Sequence, residues 1–202
     1  MQRSGSKAVG FLIFLLGVVL MLSFPSFALA HDGVAHTHSG FVAGFLHPLS
    51  GFDHLLMLLA LGFWLRQDRN RNATTLGLLF LCAIQVGAVL AVSGFVTTKV
   101  ELEIVLSLAI AGALLAFAIQ LQRVIALTLI GVFGIVHGMA HGLELPQNAS
   151  AYLYQFGLLG SSALVLALGL SFATIVKAHQ GVAKTLGFVV AASACAMFGL
   201  GV

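Results

Sequence analysis

Six long apolar segments dominate this chain of 202 residues. Each is long enough to cross, or nearly cross, a hydrocarbon core of about 30 Å as a helix. Only 7% of the residues are charged and 60% are hydrophobic, whereas a soluble domain carries about 25% charged residues. We therefore predict an all-α fold, a polytopic transmembrane helix bundle of six spans. The spans are Phe41–Leu65, Thr74–Phe95, Leu102–Leu121, Val124–Leu143, Ala151–Val176 and Val182–Leu200.

The connections between these segments are short, so successive helices should be antiparallel neighbours in one bundle. Basic residues are unevenly divided between the two sides of such a bundle. Because loops facing the cytoplasm are enriched in Lys and Arg, the topology should place both termini outside. The predicted inner loops hold Arg66, Arg69, Arg71, Arg123, Lys177 and Lys184, and the outer connections hold only Lys99.

The N-terminus has the features of a secretory signal. Arg3 and Lys7 precede the apolar run Val9–Leu22, and Ala28-Leu29-Ala30 is a typical cleavage pattern. We predict that residues 1–30 are a signal peptide and that residues 31–202 form the six-helix membrane domain, beginning with an exported, histidine-containing leader over 31–40. The alternative is an uncleaved membrane anchor. Together with the topology, this signal places the protein in a bacterial plasma (inner) membrane.

Several classes of function lack their sequence signatures. The net charge of +3 comes with no basic run interleaved with aromatics, so no nucleic-acid partner is expected. Cys82 and Cys195 lie in apolar runs without a CxxC pattern, and we expect both to be buried and to bind no metal. No Gly-rich ATP-binding loop is present, so neither ATP hydrolysis by that route nor an ATPase subunit is indicated.

The first polar motif in the apolar segments runs from His47 to His54. Pro48 favours a first helical turn, and the residue before a proline avoids the helical region. We therefore expect a break at His47, with Phe41–Leu46 as a separate short piece and a helix beginning at Pro48. An aspartate within a membrane segment costs roughly 2.5–3.5 kcal/mol, so Asp53 should face a partner or a watery cavity. The alternative is that Asp53 caps a helix end with His54 as its partner.

The second motif lies near the end of the fourth segment. His137, His141 and Glu144 are spaced i, i+4 and i+7, so they share one helix face, and two histidines four residues apart can converge on one divalent ion. Small residues beside this face should let another helix approach closely and bring it up to the ligands. These small residues are Gly134, Gly138 and Gly142.

The topology predicts that the two motifs occupy the same outer half of the membrane. The first lies near the start of an inward-running span, and the second near the end of an outward-running one. Gln85, deep in the second span, either continues a path from them or makes an interhelical hydrogen bond. Candidate metal-collecting residues in the leader are His31, Asp32, His36 and His38, which otherwise form a polar leader without a role.

The candidate ligands are imidazoles and carboxylates without thiolates. Such mixed N/O sets with more than four ligands suit Ni²⁺ or Co²⁺ better than tetrahedral Zn²⁺. A divalent transition metal is thus the expected partner, besides lipid, and no prosthetic group is indicated. The expected ligands are His47, Asp53, His54, His137, His141 and Glu144.

These residues carry a resemblance to a known family. His47-Pro48-x-x-Gly51-x-Asp53-His54, followed by Gly62, resembles the signature of the HupE/UreJ family of nickel/cobalt permeases. The run from His137 to Glu144 is similar to that family's second motif. The resemblance implies secondary uptake of Ni²⁺ or Co²⁺ rather than an enzymatic activity. The residues expected to serve structure or gating are Pro48, Gly51, Gly62, Gly134, Gly138 and Gly142. The alternative is an intramembrane zinc-dependent hydrolase that uses the same ligands.

Overall fold

The computed structural model describes residues 39–67, 73–146 and 150–200, and every regular element in these ranges is an α-helix. The all-helical prediction is therefore confirmed for the described part of the chain. The predicted signal peptide (residues 1–30) and the leader residues His31, Asp32, His36 and His38 lie outside it. The helices are α1 (Ser39–Ser50), α2 (Phe52–Gln67), α3 (Ala73–Val92), α4 (Val100–Ala116), α5 (Arg123–Leu143), α6 (Ala151–Ile175) and α7 (Gln180–Leu200).

Four helices, α3, α5, α6 and α7, are each long and apolar enough to cross a membrane. The pair α1 and α2 passes the same test only together, with a bend of 74° between the two. Helix α4 has 17 residues, which rise about 26 Å at 1.5 Å per residue. The length and apolar composition of these helices therefore indicate a multi-pass membrane protein.

The outward surface of the bundle is apolar. Large hydrophobic side chains are exposed along it, including Val89 at 64%, Phe156 at 68% and Ile175 at 78%. Cys82 and Cys195 are exposed on the bundle as well, so the expectation that both are buried is wrong. Lipid solvates an outward side chain as well as the core does, so an apolar run does not reveal which of its residues face inward.

Helix α2 lies at the centre of the bundle and contacts α1, α3, α4, α6 and α7. Ten of its 16 residues are buried, on all sides of the helix, as expected for a central element. The indole Nε1 of Trp64 donates a hydrogen bond of 3.2 Å to the carbonyl of Ile119, which ties α2 to the loop between α4 and α5. The first polar motif is therefore attached to the most enclosed helix of the fold.

The break in the first apolar segment lies at Gly51, so the predicted break at His47 is wrong. Helix α1 continues through His47 and Pro48 to Ser50, and α2 begins at Phe52. Pro48 removes one N–H from the ladder, but the last turn survives because the Gly51 N–H donates to the His47 carbonyl at 3.1 Å. The Ser50 hydroxyl donates to the same oxygen at 2.9 Å. The proline thus ends the helix within one turn rather than preventing it.

The glycine ridge predicted on α5 packs against α3. A Cβ added at Gly134 would lie 2.7 Å from the carbonyl oxygen of Phe80, and Gly138 and Gly142 meet the carbonyl oxygens of the next two turns of α3. Only glycine permits backbones to come this close. Gly62 of α2 has the same role against α6, where it meets a backbone carbonyl. The neighbour that the ridge brings toward the histidines is therefore α3, with the Phe80 ring.

Candidate metal centre

Three histidines from three helices converge where α1 gives way to α2. His47, His54 and His141 each offer a ring nitrogen, and these atoms all lie within 4.8 Å of one another. The ring centroids are 4.4 Å apart for His54 and His141 and 4.9 Å apart for His47 and His141. Nitrogens on opposite sides of one ion, each at about 2.1 Å, are separated by about 4.2 Å. Small rotations of the rings would therefore let all three bind a single ion.

Asp53 and His54 lie in the first turn of α2, directly after the break. The Asp53 Oδ1 is 2.9 Å from the His54 Nδ1, yet His54 makes no hydrogen bond through either ring nitrogen. The Nδ1 side of the ring therefore faces the Asp53 carboxylate. The Nε2 of this buried ring has no partner and is available to a ligand.

Gly51 leaves room for this pair. A Cβ at Gly51 would lie 2.9 Å from the His54 Nδ1 and 3.2 Å from the Asp53 Oδ1. Contacts this short would displace the imidazole, since non-bonded heavy atoms settle at about 3.5–4.0 Å. The missing side chain at the break therefore permits the arrangement of Asp53 and His54.

Glu144 closes the exposed end of the cluster. Its Oε2 lies 2.9 Å from the Nε2 of His47, and the two side chains are 49% and 24% exposed, respectively. Glu144 directly follows α5, where the negative end of the helix dipole disfavours a carboxylate. Contact with the His47 ring, or with a cation, offsets this cost.

His137 occupies the buried end of the cluster, at 2% exposure. Its Nδ1 lies 2.9 Å from the Phe133 carbonyl oxygen, and because a carbonyl only accepts, this nitrogen must carry the proton. The Nε2 is then a bare lone pair, and it has no hydrogen-bond partner. A backbone bond of this kind commonly fixes the tautomer of a metal-binding histidine. The His137 ring lies 5.5 Å from that of His54.

The six candidate ligands thus run from an exposed end to a buried end. Glu144 and His47 form the exposed end, Asp53 lies beside His54, and the rings of His54, His141 and His137 are buried. Both sequence motifs contribute to each part of the cluster, since His47 of the first motif pairs with Glu144 of the second at the exposed end and His54 lies next to His141 in the interior. His179 lies outside the cluster on an exposed turn, where its Nδ1 accepts a hydrogen bond from the Gly181 N–H at 3.2 Å.

A model of the HupE / UreJ protein family matches residues 18–197, which include every candidate ligand described above. The chain belongs to the HupE / UreJ family. Protein HupE of Rhizobium leguminosarum bv. viciae is 34% identical over 178 residues, which cover 87% of this chain and 92% of that relative. No solved structure matches.

In this member of the HupE / UreJ family, the structure adds a residue that the sequence did not single out. The ring of Tyr154, on α6, lies 5.9 Å from that of His47. Tyr154 is 1% exposed, and its hydroxyl has no hydrogen-bond partner. Aromatic residues are common where a membrane helix begins. A tyrosine at the start of an apolar segment therefore does not indicate a functional site in the sequence.

Gln85 is engaged by a neighbouring helix. Its Nε2 donates a hydrogen bond of 3.0 Å to the Oε1 of Gln155, on α6. Of the two alternatives for Gln85, the interhelical hydrogen bond is therefore the one observed.

Proposed function

We propose that this protein is a secondary permease that takes up Ni²⁺ or Co²⁺ through the cluster of His47, Asp53, His54, His137 and His141. One observation carries the proposal: nitrogens without hydrogen-bond partners continue from the half-exposed Glu144 end into the buried interior. Buried polar groups are nearly always hydrogen-bonded, so a series of unpaired ones indicates a ligand. The nickel/cobalt specificity rests on the family resemblance of the two motifs.

The chemistry of the cluster suits stepwise dehydration of an ion. Glu144 and His47 attract the hydrated cation, and its water is then replaced by the imidazoles of His141 and His54. The carboxylate of Asp53 supplies negative charge beside them, which offsets the cost of bringing a dication into a membrane. His137 receives the ion at the buried end. The leader residues His31, Asp32, His36 and His38 collect ions before this first step.

The proposed topology has six spans with both termini outside the bacterial inner membrane, after cleavage behind Ala30. The bent pair α1 and α2 forms the first span, and α4 forms the third, because a bilayer thins to accept a helix a few ångströms short. A dication moving inward gains about 4.6 kcal/mol per 100 mV, twice the single-charge value. At about 1.4 kcal/mol per decade, this sustains a gradient of roughly 10³ without ATP.

Uptake by proteoliposomes with an imposed inside-negative potential tests this function. We expect the wild-type protein to accumulate Ni²⁺ or Co²⁺ in preference to Zn²⁺ and Mn²⁺, and Asp53→Ala or His54→Ala to abolish that uptake. His179→Ala is the matched control, since it removes a histidine outside the cluster. Wild-type transport by either cluster variant would exclude the proposed site. Zinc-dependent hydrolysis of a lipid ester or amide without metal movement would instead favour a hydrolase.

A further inference from the structure

Ser162 of α6 is a buried hydroxyl without a partner. It is 1% exposed, and its Oγ makes no hydrogen bond. Helical serines usually avoid this state by donating to a carbonyl one turn back. The adjacent Ser161 does so, donating to the Leu158 carbonyl at 3.2 Å, and Ser107 donates to Ile104 at 2.7 Å. An unpaired buried hydroxyl is costly, so its presence at Ser162 points to a ligand.

The position of Ser162 on α6 directs it toward the groove between α2 and α3. Residues seven apart share a helix face, and Ser162 is seven residues from both Gln155 and Gly169. Gln155 is hydrogen-bonded to α3 through Gln85. Gly169 packs on the backbone of α2 at Leu59. Ser162 lies between these contacts on the same face.

The depth of Ser162 follows from the same two helices. Helices α2 and α6 run parallel, because contacts further along one helix are further along the other. Leu59 meets Gly169, the rings of Phe63 and Phe172 lie 5.8 Å apart, and Arg66 donates a hydrogen bond to Thr174. Ser162 precedes Gly169 by seven residues, and seven residues before Leu59 in the parallel helix α2 is Phe52. Ser162 is therefore level with the first turn of α2, which holds His54. His54 belongs to the buried part of the histidine cluster.

The register with α3 gives a consistent depth. Helix α6 contacts α3 through Gln155 and Gln85 on one side of Ser162 and through Leu166 and Gly77 on the other. These two contacts show that α3 and α6 are antiparallel, and interpolation between them places Ser162 level with Phe80 of α3. The Phe80 ring lies 6.2 Å from that of His137, the buried end of the cluster. Both registers therefore place Ser162 at the depth of the buried ligands His54 and His137.

Beyond Ser162, the buried side of α6 carries no polar side chain within its described length. The buried residues that follow are Val165, Leu166, Gly169 and Ala173. The fully buried Phe63 of α2 packs at this level, with its ring 5.8 Å from that of Phe172. An ion that leaves the imidazoles toward the other end of the bundle thus has Ser162 as its last polar side chain on this helix face.

We propose that the Ser162 hydroxyl is the metal contact that follows His137 on the inward path, and this inference rests on the proposed permease function. A neutral hydroxyl binds a dication or its remaining water more weakly than an imidazole does. Conduction requires a site weak enough to release the ion after a site strong enough to capture it. Ser162 supplies the weak site, so it should govern the rate of transfer rather than the affinity of capture.

Paired alanine variants at two adjacent serines test the proposal. We expect Ser162→Ala to lower the maximal rate of Ni²⁺ uptake about tenfold, which corresponds to about 1.4 kcal/mol, with unchanged Ni²⁺ affinity by titration calorimetry. Ser161→Ala, whose hydroxyl is satisfied by its own helix, should transport normally. Ser162→Thr, which retains the hydroxyl, should restore most of the rate. Normal transport by Ser162→Ala, or equal losses in both alanine variants, would overturn the proposal.

A second measurement applies even if Ser162→Ala fails to fold. In a variant with Cys82→Ala and Cys195→Ala, Ser162→Cys is expected to react with a small methanethiosulfonate reagent, and saturating Ni²⁺ should slow the reaction. Reaction unaffected by Ni²⁺ would refute contact with the ion, and Ser161→Cys provides the background rate. If Ser162 variants behave as wild type while Asp53→Ala abolishes uptake, this inference alone fails. If Asp53→Ala transports normally, the proposed site itself fails.

Discussion

Gly51→Ala provides a sensitive test of whether the break between α1 and α2 positions a metal ligand. The added Cβ would lie 2.9 Å from the His54 Nδ1, whereas non-bonded heavy atoms settle at about 3.5–4.0 Å. The imidazole must therefore move by roughly 0.5–1 Å, while a working site has to hold its ligands within about 0.5 Å. Disturbing the residues that orient ligands typically costs about 10–100-fold in metal affinity. We expect the Kd for Ni²⁺ to rise by that factor.

Titration calorimetry on the purified protein in detergent measures this change. Gly160→Ala is the matched control, because a Cβ added there meets nothing within 4 Å. It should leave the Kd unchanged, and both variants should retain the wild-type thermal stability. Wild-type Ni²⁺ affinity in Gly51→Ala would refute the argument that the missing side chain positions Asp53 and His54. An equal loss of affinity in Gly160→Ala would show that the effect is not specific to the break.

Two further variants test helix packing apart from metal binding. Gly138→Ala should destabilise the bundle by about 1–3 kcal/mol through overpacking against the α3 backbone, seen as a lower melting temperature, while Gly131→Ala on the same helix should have no effect. Equal melting of the two variants would contradict the close approach. Gln85→Leu should lower stability by roughly 1 kcal/mol, because it breaks the hydrogen bond to Gln155, and should leave Ni²⁺ uptake intact. Lost uptake at unchanged stability would place Gln85 on the ion path instead.

Two helices end in the same backbone arrangement, and only one of the two ends carried a signal in the sequence. The apolar segment predicted to end at Leu121 stops as a helix at Ala116. The Ile119 N–H bonds back to the Leu114 carbonyl at 3.0 Å, and Ala118 adopts a φ of 49°. This is the helix-ending arrangement that normally employs glycine. At Gly94, with a φ of 87°, the same arrangement ends α3 at Val92, and there the glycine was a usable signal.

The sequence by itself determined the solvent, the helical class and the chemistry of the ligands. So few charges over so long a chain require lipid, and the spacing of His137, His141 and Glu144 puts them on one face whatever surrounds the helix. These properties are local, because they depend on composition and on the period of one helix.

Only the tertiary structure decided which groups meet. The pairing of Glu144 with His47 joins segments that are distant in the sequence, and the junction between α1 and α2 lies at Gly51 rather than at His47. The sequence also does not show which residues of the apolar segments are exposed, as Cys82 is, or which hydroxyls remain unpaired, as those of Tyr154 and Ser162 do. In a membrane both sides of a helix are apolar, so the hydrophobic pattern that orients soluble helices is lost. Contacts between distant segments therefore carry that information.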